Sequence, residues 1–369
     1  MKPFTARLLL VLLLPLAAAC GGTDTTSGIA AVESAHSAPA VGHVFVINLE
    51  NKGFTRTWGK SSAAPYLAHT LRGKGVLLTR YYGTAHHSLG NYLAQVSGQG
   101  PNPAIQADCR RFTALHTRRI EAPQQRVGTG CVFDAATPTL MKQIDKRHLG
   151  WRGYLQGMDR SCEHPRIGAL DNAFKARPHH EYATRHNPFV YFRSVIDRPT
   201  YCRRHVVSLP HLRTDLQKRS TTRFLSYITP DLCNDAHDSP CADGRRGGLP
   251  QLNRWLKTWV PRILKSPAFR HDGVLVITAD ESDGPRQDST ACCGEGPSAN
   301  AEEPGIDGPG GGRVGALVIS RWTGAGTRSS TPYNHYSLLG SIEEMIGARP
   351  IGYARTPGLH FFGADVFNR

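Results

Sequence analysis

The octapeptide VFVINLEN, residues 44–51, decides the fold of this chain. Five of its first six side chains are apolar, and the run then stops on a carboxylate, Glu50, and an amide, Asn51. An almost continuous apolar run of this length predicts a strand that is buried on both faces. Open α/β sheets bind their ligands just beyond the carboxyl ends of such strands, so we expect the functional site to begin at Glu50 and Asn51.

Strand and helix patterns alternate along the rest of the chain. Predicted strands cover residues 76–82, 151–155, 223–228, 274–277 and 314–320; predicted helices cover 65–74, 139–148, 212–218, 249–264 and 337–346, and one more starts near residue 88. This alternation predicts an α/β fold, a mostly parallel central sheet covered by helices on both faces. The segment 159–201, which is rich in His, Pro and Arg, is expected to run over the surface at one end of the sheet.

The first twenty residues have the composition of an export signal. Lys2 and Arg7 flank the start of the apolar stretch LLLVLLLPLAAA, which is short for a membrane span. The following AAACG resembles a bacterial lipoprotein cleavage box with Cys20 as the lipidated residue. We therefore expect an exported, lipid-anchored cell-surface lipoprotein, with secretion after cleavage near Ala19 as the alternative. Residues 21–41 are small and polar and are predicted to be a flexible tether to a single domain over 42–369.

The cysteine content agrees with export to an oxidising compartment. Eight cysteines remain after Cys20, an even number that allows up to four disulfides. Sequence alone does not give the connectivity, and a cysteine-rich metal site is the competing interpretation, although no paired C-x-x-C spacing supports it. Pairing in sequential order would join Cys109 to Cys131, Cys162 to Cys202, Cys233 to Cys241 and Cys292 to Cys293.

The formal net charge of +15 indicates anionic partners. Removal of Lys2 and Arg7 with the leader leaves a charge of +13, which suits phosphate esters, anionic cell-surface polymers or phospholipid headgroups. Specific nucleic-acid binding is not expected, because the arginines are scattered and no groove-reading motif accompanies them. The oligomeric state is left open.

Polar clusters follow four of the predicted elements and should meet at one edge of the sheet. They are Glu50 with Asn51, the segment 86–91, the segment 231–238, and Asp280 with Glu281. Carboxylates with an amide and a hydroxyl form an oxygen-rich set that suits one or more divalent cations. Ser88, at the start of a predicted helix, is then placed to act as a nucleophile on phosphorus, with a histidine protonating the leaving oxygen.

Five sequence blocks resemble, in the same order, the bacterial and fungal phosphoesterases of the alkaline-phosphatase superfamily, which include acid phosphatases and non-haemolytic phospholipases C. The blocks are HVFVINLENKGF, YYGTAHHSLGNYLAQVSG, ITPDLCNDAHD, VITADESD and NHYSLLGSIEEMIG, between about residues 43 and 347. The resemblance implies an alkaline-phosphatase-like fold. Two positions depart from the family pattern, since His87 and Gly90 stand where prolines are usual, and this departure is expected to loosen the turn that holds Ser88.

The resemblance also implies roles for individual residues. It assigns the metal to Glu50, Asn51, Asp280 and Glu281, and catalysis to Ser88 as nucleophile with His237 and His335 as proton-transfer groups. Substrate binding falls to His86, Asn91, His186 and Asp238. Each assignment has a structural alternative: helix capping for Glu50, Asn51 and Ser88, a solvated turn for Asp280 and Glu281, a surface pair for His237 and Asp238, and backbone contacts at a helix start for His335.

Three functions remain open from the sequence. The first is an exported, metal-dependent phosphoric ester hydrolase, an acid-phosphatase-type phosphomonoesterase that uses a serine nucleophile. The second is a phospholipase C-type phosphodiesterase, which the basic charge and the predicted lipid anchor would suit. The third is a surface lipoprotein that binds phosphate esters without hydrolysing them, which the altered turn around Ser88 would explain.

Overall fold

The octapeptide at residues 44–51 supplies the central strand of an eight-stranded sheet in the computed structural model. The structure describes Met1 and residues 39–369. The predicted export signal over 1–20, and the predicted tether up to residue 38, therefore lie outside the described residues.

The strands of the described residues form one large sheet and two small ones. In the large sheet the order is β11-β2-β10-β9-β1-β8-β6-β7, while β12 pairs with β3, and β4 pairs with β5. The strands are β1 (His43–Leu49), β2 (Val76–Leu78), β3 (Tyr81–Tyr82), β4 (His116–Glu121), β5 (Gln125–Thr129), β6 (Trp151–Leu155), β7 (Val206–Ser208), β8 (Leu225–Thr229), β9 (Gly273–Ala279), β10 (Ala316–Ser320), β11 (Arg328–Ser329) and β12 (Tyr333–Asn334).

The large sheet is mostly parallel, as predicted. β1 pairs in parallel with β8 on one side and with β9 on the other, whereas β10 is antiparallel to both β9 and β2. The prediction of one strand over 76–82 is wrong, because the chain leaves the large sheet after Leu78 and its continuation at Tyr81 joins the small β3–β12 sheet. The single apolar run at residues 76–82 therefore forms two short strands, β2 and β3, which belong to different sheets.

Helices cover both faces of the central strand. Successive side chains of a strand point to opposite faces, so Phe45 and Asn48 on β1 face in opposite directions. Phe45 packs against Phe269 with ring centroids 6.2 Å apart, and Asn48 accepts a hydrogen bond from Gln95 on the other face. Every residue of β1 is buried, which explains why its sequence reads as an apolar run rather than an alternating one.

The helices follow the predicted alternation with the strands. No helix among the described residues has both the length and the apolar character that a membrane span requires. The helices are α1 (Phe54–Trp58), α2 (Ser88–Ser97), α3 (Pro103–Gln106), α4 (Leu140–Lys146), α5 (Arg193–Ile196), α6 (Pro199–His205), α7 (His211–Asp215), α8 (Gly248–Lys265), α9 (Pro267–Asp272) and α10 (His335–Met345), with a π-helical segment at Tyr66–Leu71 and 3₁₀ turns at Arg72–Lys74, Thr184–His186, Pro188–Tyr191 and Gly352–Arg355.

The prediction that segment 159–201 lies on the surface is wrong for its centre. Residues 180–192 are all buried, and Phe189 stacks on Trp151 of β6 with ring centroids 4.8 Å apart. The apolar residues of this stretch occur in short runs between His, Pro and Arg, so their spacing shows neither strand nor helix periodicity. Tertiary packing, rather than local pattern, brings them into the core.

Four disulfides join the cysteines in sequential order, and the competing cysteine-rich metal site is not formed. The pairs are Cys109–Cys131, Cys162–Cys202, Cys233–Cys241 and Cys292–Cys293. Seven of the eight cysteines lie in connections between elements, Cys202 lies within α6, and none of the eight belongs to a strand. Disulfides of this number are typical of proteins from oxidising compartments.

A buried glutamate on α10 lowers the stability of the fold at alkaline pH. Glu343 is fully buried, and neither of its carboxylate oxygens has a hydrogen-bond partner among the described residues. Burial raises the pKa of its carboxyl to about 8. The fold therefore favours the neutral form of this carboxyl. The stability of the folded state that depends on the neutral form is fully present below the ordinary pKa of 4.5 and is lost as the pH rises through 8.

We expect Glu343→Gln to stabilise the protein above neutral pH. Glutamine mimics the neutral acid, so the free energy of unfolding should rise by on the order of 3 kcal/mol at pH 8 and change little below pH 4.5. Urea unfolding across this pH range measures the difference. The same change at the exposed neighbour, Glu344→Gln, is the matched control and should not show this pH dependence. An equal response of both variants would contradict the assignment to burial.

Candidate functional site

Three adjacent strands deliver three carboxylates to one edge of the sheet. Because β1 lies between β8 and β9, Glu50 at its end sits beside Asp280, which follows β9, and beside Asp235 in the loop after β8. Backbone hydrogen bonds join the three positions: the Asp280 amide donates to the Leu49 carbonyl at 3.0 Å, and the Glu50 amide donates to the Asp235 carbonyl at 2.9 Å. All three carboxylates are buried.

Ser88 meets this cluster from the first turn of α2. Its hydroxyl donates to Glu50 Oε2 at 2.9 Å, and the hydroxyl of Tyr92, one turn later, donates to Glu50 Oε1. The Ser88 hydroxyl does not cap the helix: His87 is the N-cap residue and makes no capping bond through its side chain. The hydroxyl is therefore directed to the Glu50 carboxylate.

The turn before Ser88 is held tightly rather than loosened. Asn91, predicted to bind substrate, uses its side-chain oxygen to accept from the amides of Thr84 and Ala85, at 2.7 and 3.0 Å, and donates back to the Ala85 carbonyl at 2.8 Å. A Cβ atom at Gly90 would lie 2.8 Å from that of Ala85, so only glycine fits this approach. Asn91 is thus engaged in holding its own turn.

The carboxylates are crowded enough to disfavour their own ionisation. Burial, followed by the charges of Asp280 and Asp235, raises the pKa of the Glu50 carboxyl well above its usual range. Burial likewise raises the pKa of Asp235, and it raises that of Asp280 to about 6. Three buried acids side by side are costly as anions unless a cation lies among them.

Several ligand atoms in this cluster have no hydrogen-bond partner among the described residues. They are Asn51 Oδ1, Asp235 Oδ2, Asp280 Oδ2 and both ring nitrogens of His186. Unpartnered polar atoms are uncommon in protein interiors, and a group of them at one place is typical of a site that binds a ligand. Carboxylate and amide oxygens with an imidazole are donors that divalent metals such as Mn²⁺, Fe²⁺ and Zn²⁺ accept. The residues present therefore fit a divalent cation.

His186 lies within the acidic cluster and not at its rim. Its Nε2 is 3.2 Å from Glu50 Oε2, and its Nδ1 is 3.4 Å from Asp235 Oδ2. The ring stacks on Tyr92 with centroids 5.3 Å apart, and burial lowers the pKa of the imidazole well below its usual value. Neutral imidazole is the form that binds divalent metals, so His186 fits a metal ligand, while its role in substrate binding stays a prediction. Ligand atoms of Glu50, Asp235 and His186 lie within 4.8 Å of one another.

Two predicted residues pair with each other beside the cluster. The carboxylate of Glu281, which was predicted to bind metal, forms a hydrogen bond with His86 Nδ1. The other ring nitrogen, His86 Nε2, lies 3.0 Å from the Asp288 carbonyl oxygen. Burial lowers the pKa of His86 to about 4. Glu281 is not in the group formed by Glu50, Asp235 and His186. Both ring nitrogens of His86 are engaged, so its contacts support the loop rather than a bound ester.

The other two predicted histidines differ in accessibility. His335 is fully buried, with Nε2 2.5 Å from the Asp280 carbonyl and Nδ1 3.1 Å from the Tyr81 hydroxyl, so it holds the backbone of Asp280. His237 is partly exposed, and its Nδ1 lies 2.7 Å from Asp238 Oδ1. Of the two, only His237 is accessible to solvent.

Two residues of the site were missed from the sequence. Asp235 belongs to the quoted block ITPDLCNDAHD but was not singled out, although its place after a buried strand was the signal that found Asp280. Arg185 lies in the part of segment 159–201 whose burial was not predicted. Its Nη2 is 3.4 Å from His237 Nε2, and its Nε is 3.5 Å from Asp108 Oδ2. No local pattern marks an isolated arginine as an anion-binding group.

The chain is similar to a known family and to several known proteins. Residues 60–348 match the model of the "Phosphoesterase family". The chain is 24% identical to an acid phosphatase of Aspergillus fumigatus over 95% of its own length and 67% of that protein. It is 25% identical to a phosphate-repressible acid phosphatase of Penicillium chrysogenum over 58% of its own length, spanning 42% of that protein. A solved protein of the alkaline phosphatase superfamily from Vibrio parahaemolyticus aligns with a TM-score of 0.44 and 11% identity, over 84% of this chain and 67% of that one.

Proposed function

The chain belongs to the phosphoesterase family, and we propose that it is an exported, metal-dependent phosphomonoesterase of acid-phosphatase type that uses Ser88 as its nucleophile. Membership of the family makes the chain a hydrolase of phosphoric ester bonds. The observation that carries the proposal is the Ser88 hydroxyl, 2.9 Å from Glu50 at the centre of unpartnered carboxylate and imidazole atoms. The four disulfides of the chain are typical of exported proteins.

The metal would be held by residues from three strand ends. Glu50, Asn51, Asp235 and Asp280 present carboxylate or amide oxygens, and His186 adds a neutral nitrogen. A divalent cation supplies charge stabilisation to a phosphoryl oxygen and favours the ionised form of a serine hydroxyl. Asp235 and His186 take the place that the sequence gave to Glu281, which is engaged with His86.

The chain's own residues then divide the reaction between them. Glu50 Oε2 accepts the proton of the Ser88 hydroxyl, and Ser88 Oγ attacks phosphorus as the bond from phosphorus to the leaving oxygen breaks. His237, held by Asp238, gives that oxygen a proton. Water then hydrolyses the phosphoserine ester, which releases phosphate and restores the hydroxyl. Arg185 beside His237 offers positive charge to the phosphoryl oxygens.

Chelation is the direct test of the metal. We expect phosphate release from an aryl phosphate, measured across pH, to fall by on the order of 100-fold or more when divalent metals are removed with a chelator, because the buried carboxylates then lack their counter-charge. Replacing individual divalent ions should restore turnover and identify the metal. Full turnover in the chelated protein would contradict metal dependence.

Two other functions are separated by their products. A phospholipase C-type phosphodiesterase is favoured by the net charge of +15, and it would release diacylglycerol from phosphatidylcholine vesicles. A binding protein without turnover would show heat of binding with a phosphate ester in calorimetry and no product after long incubation. The tight turn held by Asn91 and Gly90 removes the reason for which the sequence favoured this last alternative.

A further inference from the structure

An exposed platform lies beside the candidate site, formed by two short stretches that pair side by side. Arg111 and Leu170 form an antiparallel bridge. The Phe112 amide donates to the Ala169 carbonyl at 2.9 Å, and the Gly168 amide donates to the Phe112 carbonyl at 2.8 Å. The Arg111 guanidinium also donates to the Gly168 carbonyl at 2.8 Å. These bonds give the platform a fixed shape.

Two aliphatic side chains project from this platform into solvent. Ile167 is 44% exposed and Leu170 is 59% exposed, and within residues 39–369 only Ile120 and Leu149 are comparable large exposed aliphatics. Two such residues three positions apart on one loop form an apolar protrusion. Single exposed aliphatics are ordinary, but a paired protrusion is typical of an interaction surface.

Exposed cations lie on the same two stretches as the aliphatic side chains and on the loop that follows them. Five exposed cations belong to the platform and its flanks, and none of them forms an ion pair with an acid within the described residues. The nearby acids Asp159 and Glu163 are instead engaged by His180, and Asp171 is buried. The cations are Arg110, Arg111, Arg166, Lys175 and Arg177; together with Ile167 and Leu170 they are the docking patch.

The docking patch is connected to the candidate site through Asp108 and Arg185. Asp108, two positions before the patch begins, accepts a hydrogen bond from the Leu89 amide at 3.0 Å, directly after the nucleophile Ser88. Arg185 contacts the same carboxylate at 3.5 Å and donates to the Phe174 carbonyl, inside the patch's loop, at 2.9 Å. A partner bound to the docking patch would therefore be linked to His237 through Arg185, which contacts both Asp108 and the His237 ring.

We propose that the docking patch binds the surface of an anionic phospholipid bilayer. Ile167 and Leu170 enter the headgroup region, while the five cations contact lipid phosphates around them. This combination of a small apolar protrusion with a ring of lysine and arginine is how peripheral proteins hold to charged membranes. A soluble polyanion would use the cations and leave the aliphatic pair without a role, so the bilayer accounts for both halves of the patch.

Vesicle co-sedimentation tests the proposal on the full chain carrying Cys20→Ser, so that no attached lipid contributes to binding. Binding should be stronger to vesicles that contain phosphatidylglycerol than to pure phosphatidylcholine. The double variant Ile167→Ser/Leu170→Ser should lower the partition coefficient by about tenfold. Arg166→Ala/Lys175→Ala should lower it by about fivefold per charge, and this part should weaken in high salt.

A second basic surface provides the matched control. Lys146, Arg147, Arg349 and Arg355 line a groove at the carboxyl-terminal ends of α4 and α10, whereas the candidate site lies at the start of α10. Arg349→Ala/Arg355→Ala removes the same charge as the patch variant and should leave vesicle binding unchanged. Turnover of a soluble aryl phosphate should be equal in all variants, which separates this proposal from the catalytic one.

Three results would overturn the proposal. Equal loss of binding in the groove variant would show that net charge alone attracts the vesicles. Equal binding to neutral and anionic vesicles, or no binding to either, would exclude an anionic bilayer. Binding of polyphosphate that depends on Arg166 and Lys175, with vesicle binding indifferent to Ile167 and Leu170, would identify a soluble polyanion as the partner.

Discussion

Replacement of Ser88 by alanine should abolish phosphate release from an aryl phosphate. Among residues 39–369, the change removes the one hydroxyl that donates to Glu50 Oε2, at 2.9 Å, and it leaves water as the nucleophile. Removal of a covalent nucleophile from a hydrolase lowers kcat by on the order of 10³- to 10⁶-fold. Acid quenching during turnover should trap a phosphate ester on the wild-type chain and not on Ser88→Ala, and mass spectrometry detects it.

The other end of the same helix offers the control for this variant. Ser97, the last residue of α2, is also buried, and its hydroxyl donates to the Leu93 carbonyl at 2.7 Å. Ser97→Ala should therefore cost some stability and leave kcat close to that of the wild type. Undiminished turnover in Ser88→Ala would remove serine from the mechanism and return the reaction to a directly attacking water.

Replacement of Glu50 by glutamine should have the second largest effect. Glutamine keeps the shape of the side chain but removes one anionic ligand and the acceptor of the Ser88 proton. Turnover should fall by at least about 100-fold. A second measurement does not depend on activity: a divalent metal that raises the melting temperature of the wild-type chain should raise that of Glu50→Gln much less, because the ligand-linked part of the stability depends on affinity.

The stability of Glu50→Gln without metal distinguishes a lost ligand from a damaged fold. In chelator, the variant should be at least as stable as the wild type, since it removes one of three crowded acids whose pKa values burial raises. Glu343→Gln, which also neutralises a buried glutamate but lies outside the site, should keep full turnover. A Glu50→Gln protein with near-normal activity would contradict the assigned site.

The parts of the fold that could be predicted are those in which burial leaves a local pattern. β1, β8 and β9 are buried along their whole lengths; β1 and β9 read as apolar runs that end in polar residues, and β8 keeps three apolar residues among its five. α8 shows an apolar face at helical spacing, and it spans Gly248–Lys265, within one residue of its predicted ends. The prediction that Glu50 and Asp280 lie together followed from a parallel sheet, because the carboxyl ends of parallel strands meet at the same edge.

The parts that could not be predicted depend on contacts between distant segments. The antiparallel direction of β10 is set by its pairing with β9 and β2, and no residue within the strand encodes direction. Arg185 and His186 acquire their roles because residues 180–192 fold into the core. Glu281 follows Asp280 directly in the sequence, yet its carboxylate bonds to the ring of His86 and does not join Glu50 and Asp235. Sequence order alone does not distinguish the two neighbours.

The order of the strands also determines when the sheet can form during synthesis. β1 is the first strand to be made, but both of its neighbours, β8 and β9, begin only at Leu225 and Gly273. An apolar strand without partners is prone to aggregate, and pairing between such distant segments is slow. The nascent chain must therefore stay extended, or be held by chaperones, until more than half of it has been made. The proposed export would meet this requirement, because a chain that crosses a membrane unfolded builds its sheet only on the far side.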